Sequence, residues 1–160
     1  MTFTSNPPLR VGARILLLNP ADEVLLVHAR DPDAPDHHWW ELPGAGQVPG
    51  EKLEDTARRE TAEETGLVLD VIGRKLWTRE SSFIYHGRKH HRLDHVYLAR
   101  IEDTAPQVAL RHTANERASL IERRWWSSAE LSECADKLLP AELPGLLQTR
   151  FPTAPPALTA

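Results

Sequence analysis

GQVPGEKLEDTARRETAEETGL, Gly46 to Leu67, is the stretch whose reading decides the fold. Gly46, Pro49 and Gly50 punctuate its start, so a loop comes first. From Leu53 to Thr65 good helix formers dominate, Glu54 and Asp55 suit a first helical turn, and Gly66 suits a C-terminal cap, which predicts a helix over Leu53–Thr65. At about 100° per residue, Glu60 and Glu64 project from nearly one line of that helix, with Glu63 beside them and Leu53 and Ala57 on the same line. A purely structural helix would continue the Leu53 and Ala57 stripe with apolar residues, yet this one turns to acids. Like charges three and four apart cost roughly a few tenths of a kcal/mol per pair when exposed, and more in a cleft. A divalent cation removes the conflict, because one or two carboxylates plus substrate phosphates are the usual seat of magnesium. Taken alone, the helix fits equally well a solvated acidic face balanced by Arg58 and Arg59.

The preceding loop separates the two readings. In register with the helix stands the pattern Gly-x5-Glu-x7-Arg-Glu-U-x-Glu-Glu-x-Gly-U, U being aliphatic, and Glu51, Arg59, Glu60, Glu63, Glu64, Gly66 and Leu67 occupy its positions. This resembles the Nudix box. Two positions depart: the opening glycine falls on Ala45, flanked by Gly44 and Gly46, and the first aliphatic position falls on Thr61. A methyl group at Ala45 matters if that backbone needs a positive φ or close approach to a phosphate. Thr61 bears on core packing.

The resemblance implies an α/β protein, an α/β/α sandwich with a central mixed β-sheet, that hydrolyses a nucleoside diphosphate linked to another group with Mg2+ or Mn2+. It implies Glu60 and Glu64 as metal ligands and Glu63 as a third ligand or the group that orients or deprotonates water. It also implies Arg59 as the residue positioning Glu51 or Glu60, and a backbone carbonyl of Gly44 or Ala45 completing the metal shell. In many relatives the general base is a late glutamate, for which Glu116 and Glu122 are candidates, Glu116 preferred. A surface acid without catalytic duty remains open for each. The substrate expected is a nucleoside triphosphate or dinucleoside polyphosphate. An ADP-ribose or nucleotide-sugar pyrophosphatase, and a nucleotide-binding or sensing protein without turnover, are the alternatives. Nudix relatives are frequently dimers, so a homodimer is possible.

Around the box, Arg14–Leu18 and Val24–His28 read as two strands joined by the Asn19–Asp22 turn, and Asp31–Asp36 as a loop. Leu69–Thr78, Ser82–Tyr85 and Leu93–Ile101 read as strands, Arg124–Trp126 as another, and Ser127 as the cap of a second helix. Ala141–Arg150 reads as a third helix and 151–160, with three prolines, as a tail of the single 1–160 domain. Trp40, or Trp39, is a candidate to stack on a base, although core packing is the commoner fate of a strand tryptophan. Arg88 and Arg92 lie in a basic run around a predicted turn that could grip a phosphate chain; an exposed hairpin tip is the alternative. Zinc at His90 and His91 is disfavoured, since neighbours on a strand face opposite ways.

With 160 residues, 41% hydrophobic and 26% charged, the chain is long enough for one real core. Its net charge of −4 gives no general reason for nucleic-acid or membrane binding. Cys134 is the only cysteine, which excludes an intramolecular disulfide and fits a reducing cytoplasm. No window approaches the length of a membrane span.

Overall fold

The computed structural model describes residues 7–106 and 119–150. Strands β1 (Leu9–Leu18), β2 (Val24–Asp31), β3 (Ala34–Glu41) and β4 (Gly44–Gly46) precede α1 (Leu53–Thr65). Then follow β5 (Lys75–Tyr85), β6 (Arg88–Arg100), β7 (Leu120–Trp126), α2 (Ser128–Ser132), β8 (Lys137–Leu139) and α3 (Leu143–Arg150). One mixed sheet runs β5-β6-β1-β2-β3-β8, with β4 added to β1 and β7 to β2. β1 pairs in parallel with β6, and β3 with β8. The expected α/β sandwich is present.

Two cores lie on opposite faces. Ala13, Ile15, Leu17 and Leu25 pack with Ala57 of α1, whereas Leu16, Leu18, Leu26 and Trp40 pack with Leu131 of α2 and Leu143 and Leu147 of α3. The alternation along β1 and β2 sorts residues between the two helical layers. β1 and β2 are paired only at Leu18 opposite Val24, beside their turn, so the strands diverge and the sheet splays. Asn19 holds that turn, its Oδ1 accepting the N–H groups of Ala21 and Glu23.

Helix α1 has the predicted bounds, and Gly66 caps it at φ 76° with its N–H on the Ala62 carbonyl. Ser127 caps α2 through a reciprocal capping box with Glu130. Two expectations are corrected. Asp31–Asp36 is not a loop: β2 and β3 close at Pro32 and Asp33, and Pro35, which has no N–H to donate, stands where the register jumps from Asp31 opposite Ala34 to Arg30 opposite His38. Leu69–Thr78 and Ser82–Tyr85 are not two strands but the single β5 from Lys75, because Leu69 docks on the α1 cluster instead of a ladder. The three-residue β8 was not foreseen. The tail 151–160 lies outside the described residues.

Thr61, one of the departures from the box, is fully buried, and its hydroxyl has no hydrogen-bond partner among the described residues. An orphaned buried hydroxyl is a net cost. Thr61→Val, which keeps the shape and removes the orphan, is expected to raise the stability by about 1 kcal/mol, read as a higher urea midpoint at unchanged slope. A lower midpoint would show that the hydroxyl contributes.

Candidate active site

Leu42 to Gly46 is pressed flat on β1. The Ile15 N–H donates to the Pro43 carbonyl at 2.9 Å, the Gln47 N–H to the Val11 carbonyl at 3.0 Å, and Ala45 stands opposite Ala13. Gly44 has φ 139°, and a Cβ there would lie 2.1 Å from the Ala13 carbonyl oxygen. The backbone position that demands glycine is therefore Gly44; Ala45 is not among the residues with positive φ. The concern over its methyl group on that ground is answered.

On α1, Arg59 is the hub. Its Nε donates to Glu51 Oε2 at 2.8 Å and its Nη2 to Glu51 Oε1 at 3.1 Å, a two-pronged contact, while Nη1 reaches Glu60 at 2.7 Å and Glu63 at 3.4 Å. The Arg59 hydrogen bond is the main reason that the Glu51 carboxyl falls to about 2, with Thr56 and the Val48 N–H adding to it. Glu60 is buried, at 8% exposure. Glu64 is held differently: its Oε2 accepts the Gly44 N–H at 3.2 Å, and burial, then the adjacent Glu60, push its carboxyl well above the ordinary range. Two acids whose charges conflict at one spot are a donor set that a hard divalent cation satisfies, so the residues present fit such an ion.

Beside this cluster the splayed sheet encloses a cavity of about 670 Å³, walled by Arg14, Arg92 and Asp94 on one side and Trp39, Glu41 and Leu138 on the other. Arg14 joins cavity to box: Nη1 donates to the Leu42 carbonyl at 2.7 Å and stands 3.5 Å from Glu41, and Nε is 3.3 Å from Asp94. Burial opposes its charge, but Glu41, Asp94 and Glu64 together hold it protonated. Arg92 contacts Asp94 at 3.4 Å, yet its buried Nε has no hydrogen-bond partner among the described residues, and burial followed by Arg14 works against its charge. Gly12 makes this approach possible, since a Cβ there would stand 2.5 Å from Asp94 Oδ1 and 2.8 Å from Arg92 Nη2.

The sequence-predicted residues therefore divide. Glu51, Arg59, Glu60, Glu63, Glu64 and the Ala45 backbone come together, and Arg92 faces the adjoining cavity. Arg88 stands apart, exposed beside the His86–Gly87 turn. Trp40 is corrected: it is 3% exposed, stacks on His28, meets Trp126 edge-on and donates its indole N–H to Asp136, so it has no open face for a base. Trp39 and Trp77 are the tryptophans that line the cavity. Glu122 lies beside His28 on β7 and not at the box, and Glu116 is outside the described residues. Sequence reasoning missed Arg14 and Asp94, since an arginine inside an aliphatic run and an acid on β6 carry no spacing signal.

A NUDIX domain model matches residues 8–148. A Bacillus subtilis protein with the provisional name 8-oxo-dGTP diphosphatase is 42% identical over 55 residues, which is 34% of each chain. A Caulobacter vibrioides protein named RNA pyrophosphohydrolase is 39% identical over 75 residues, 46% of this chain and 42% of that one. The matched stretch thus spans less than half the length of these relatives. Among solved structures, a MutT protein from Methanosarcina mazei superposes with a TM-score of 0.66 at 20% identity, over 91% of this chain and 95% of that one.

The two small residues of β4 have opposite sensitivities. Gly44→Ala is expected to destabilise on the order of 2 kcal/mol, through positive φ and the Ala13 carbonyl, whereas Ala45→Gly costs only about 0.4 to 1 kcal/mol through the freer unfolded chain. Chemical denaturation of both variants checks the order; equal losses would contradict the placement of the strained position.

Proposed function

The chain belongs to the Nudix family, and on that premise we propose that it is a pyrophosphohydrolase. It cleaves a nucleoside diphosphate linked to another group, with Mg2+ or Mn2+ as the ion and a nucleoside triphosphate or dinucleoside polyphosphate as the substrate. The observation that carries this reading is the carboxylate cluster organised by Arg59, joined through Arg14 to a cavity with its own cationic wall. A divalent ion held by Glu60 and Glu64 supplies charge neutralisation of the pyrophosphate and a bound water of lowered pKa. Arg59 keeps Glu51 ionised and aims both Glu51 and Glu60, and Glu63 stands at the edge of the same group as the third ligand or water-orienting acid. Arg92, with an orphaned Nε and an unfavourably placed charge, gains a partner when an anionic phosphate enters. Trp39 offers the aromatic wall on which a base can rest. The name of the Bacillus subtilis relative, which points to a nucleoside triphosphate, supports that substrate class.

The direct test is a panel of nucleoside triphosphates, dinucleoside polyphosphates and ADP-ribose with Mg2+ or Mn2+, scored by product mass. Absence of turnover across the panel would sink the reading. Glu64→Gln is expected to fold and to lose most turnover, because the isosteric amide keeps the acceptor for Gly44 but not the charge. Linkage gives a second readout. The folded pKa of Glu64 lies above its ordinary 4.5, so in metal-free protein its contribution is full below that value and is lost as pH rises through the folded pKa. Metal-free Glu64→Gln should therefore melt at or above the wild-type temperature at neutral pH. Wild-type turnover by Glu64→Gln in limiting Mg2+ would overturn its role.

Arg92 and Arg88 give a matched pair. Arg92→Ala is expected to raise KM with a smaller change in kcat and to flatten the dependence of KM on salt, while Arg88→Ala changes KM little. Equal effects of the two would show that the whole basic run acts as one diffuse patch.

A further inference from the structure

His28, His38 and Asp136 come from β2, β3 and the residue before β8, yet each offers a ligand atom within 4.8 Å of the others. We propose that they form a second cation site, separate from the carboxylate cluster, which takes one Zn2+-class ion through two imidazoles and one carboxylate.

The sheet register builds the site. Trp40 of β3 and Glu122 of β7 both stand opposite His28 of β2, so the three side chains share a face, and His38, two residues from Trp40, shares it as well. Leu26, on that same face, belongs to the core under α2 and α3, while Leu25 belongs to the core under α1. The cluster therefore lies on the side of β2 away from the helix that carries Glu60 and Glu64.

The atoms suit the ion. His28 Nε2 and His38 Nδ1 are 3.0 Å apart, and two nitrogens bound at about 2.0–2.1 Å to a tetrahedral zinc stand roughly 3.3 Å apart. That separation also suits a single N–H···N hydrogen bond, so the outer contacts matter. Trp40 fixes two ligands at once: its ring stacks on His28 with centroids 4.3 Å apart, and its indole N–H donates to Asp136 Oδ2 at 3.2 Å. On the other edge of the His28 ring, Nδ1 is buried without a hydrogen-bond partner among the described residues and faces Glu122 Oε2 at 4.0 Å. A cation on Nε2 requires the proton on Nδ1, and a carboxylate facing that N–H is the outer partner metal-bound histidines use. Imidazole nitrogens select zinc-like ions over magnesium, which prefers oxygen alone. Three protein ligands leave a fourth position to solvent.

The test uses metal-stripped full-length protein in excess Mg2+, which occupies the carboxylate cluster, and Zn2+ or Co2+ as the probe. Expected is retention of one Zn2+ per chain after desalting, and a visible Co2+ absorption of tetrahedral intensity. Glu122→Gln is expected to weaken Zn2+ binding by about 10- to 100-fold, and His38→Gln and Asp136→Asn by at least as much. Glu64→Gln and His90→Gln should bind as the wild type does. Asp136 is exposed, so Asp136→Asn reports on the site even if His38→Gln unfolds. Failure of the wild type to retain Zn2+ in excess Mg2+ would overturn the proposal. So would retention unchanged by Asp136→Asn and His38→Gln, or retention abolished by Glu64→Gln.

Discussion

Everything at the box rests on one guanidinium. Arg59 contacts Glu51, Glu60 and Glu63 at once, and its rigid fork suits that task where an ammonium would not. The consequence is a division of the acids. Glu51, far below its ordinary pKa, is a fixed anion that anchors the loop to the helix through Thr56 and the Val48 N–H. Glu64, pushed upward by burial and by Glu60, carries the unrelieved part of the conflict and faces the β4 backbone. The cost of crowding is thereby confined to the edge where a cation can enter, and the rest of α1 packs as an ordinary helix.

The second constraint is the divergence of β1 from β2. A continuous ladder there would close the cavity; a single pair at Leu18 and Val24 opens it. Opening the wedge leaves polar groups inside, and Arg14 meets most of them through Leu42, Glu41 and Asp94. Such a buried charge cluster is poor evidence for stability, since removing one partner strands the others at about 3–5 kcal/mol. Its value lies in position: one side chain ties the box loop to both walls of the cavity, so the carboxylates and the cationic wall cannot drift independently.

What the sequence revealed follows from where the information is local. The bounds of α1, the Gly66 cap and the Ser127 capping box depend on residues a few positions apart, and all were legible. The carboxylate register was legible for the same reason. Pro35 misled because proline inside an irregular edge looks like a loop, and Leu69 because a residue docking on a helix can mimic strand alternation. Trp40 and Trp39 are adjacent, chemically identical and both buried, so only the register of β3 against β2 decides which of them lines the cavity. Arg14, Asp94 and Arg92 meet across β1 and β6, separated by about 80 positions, and no spacing in the chain announces that meeting.

The two proposed ion sites differ in their chemistry as well as their place. Around Glu60 and Glu64 the ligands are oxygens, and a hard ion that keeps much of its water shell suits a reaction in which phosphate oxygens must complete the coordination. At His28 and His38 the donors are nitrogens held by an aromatic ring and a sheet register, a more rigid arrangement with higher intrinsic affinity for zinc-like ions. Zinc binds oxygen ligands more tightly than magnesium does as well, so ligand type alone cannot keep it from the box. A nitrogen site on the opposite side of β2 offers such an ion a better seat. It also ties β2 and β3 to the entry of β8, the strand that carries one wall of the cavity. Because Asp136 itself lines the cavity, an ion there would fix the edge of that wall, while on the proposed reading the hydrolytic chemistry stays with the glutamates of α1.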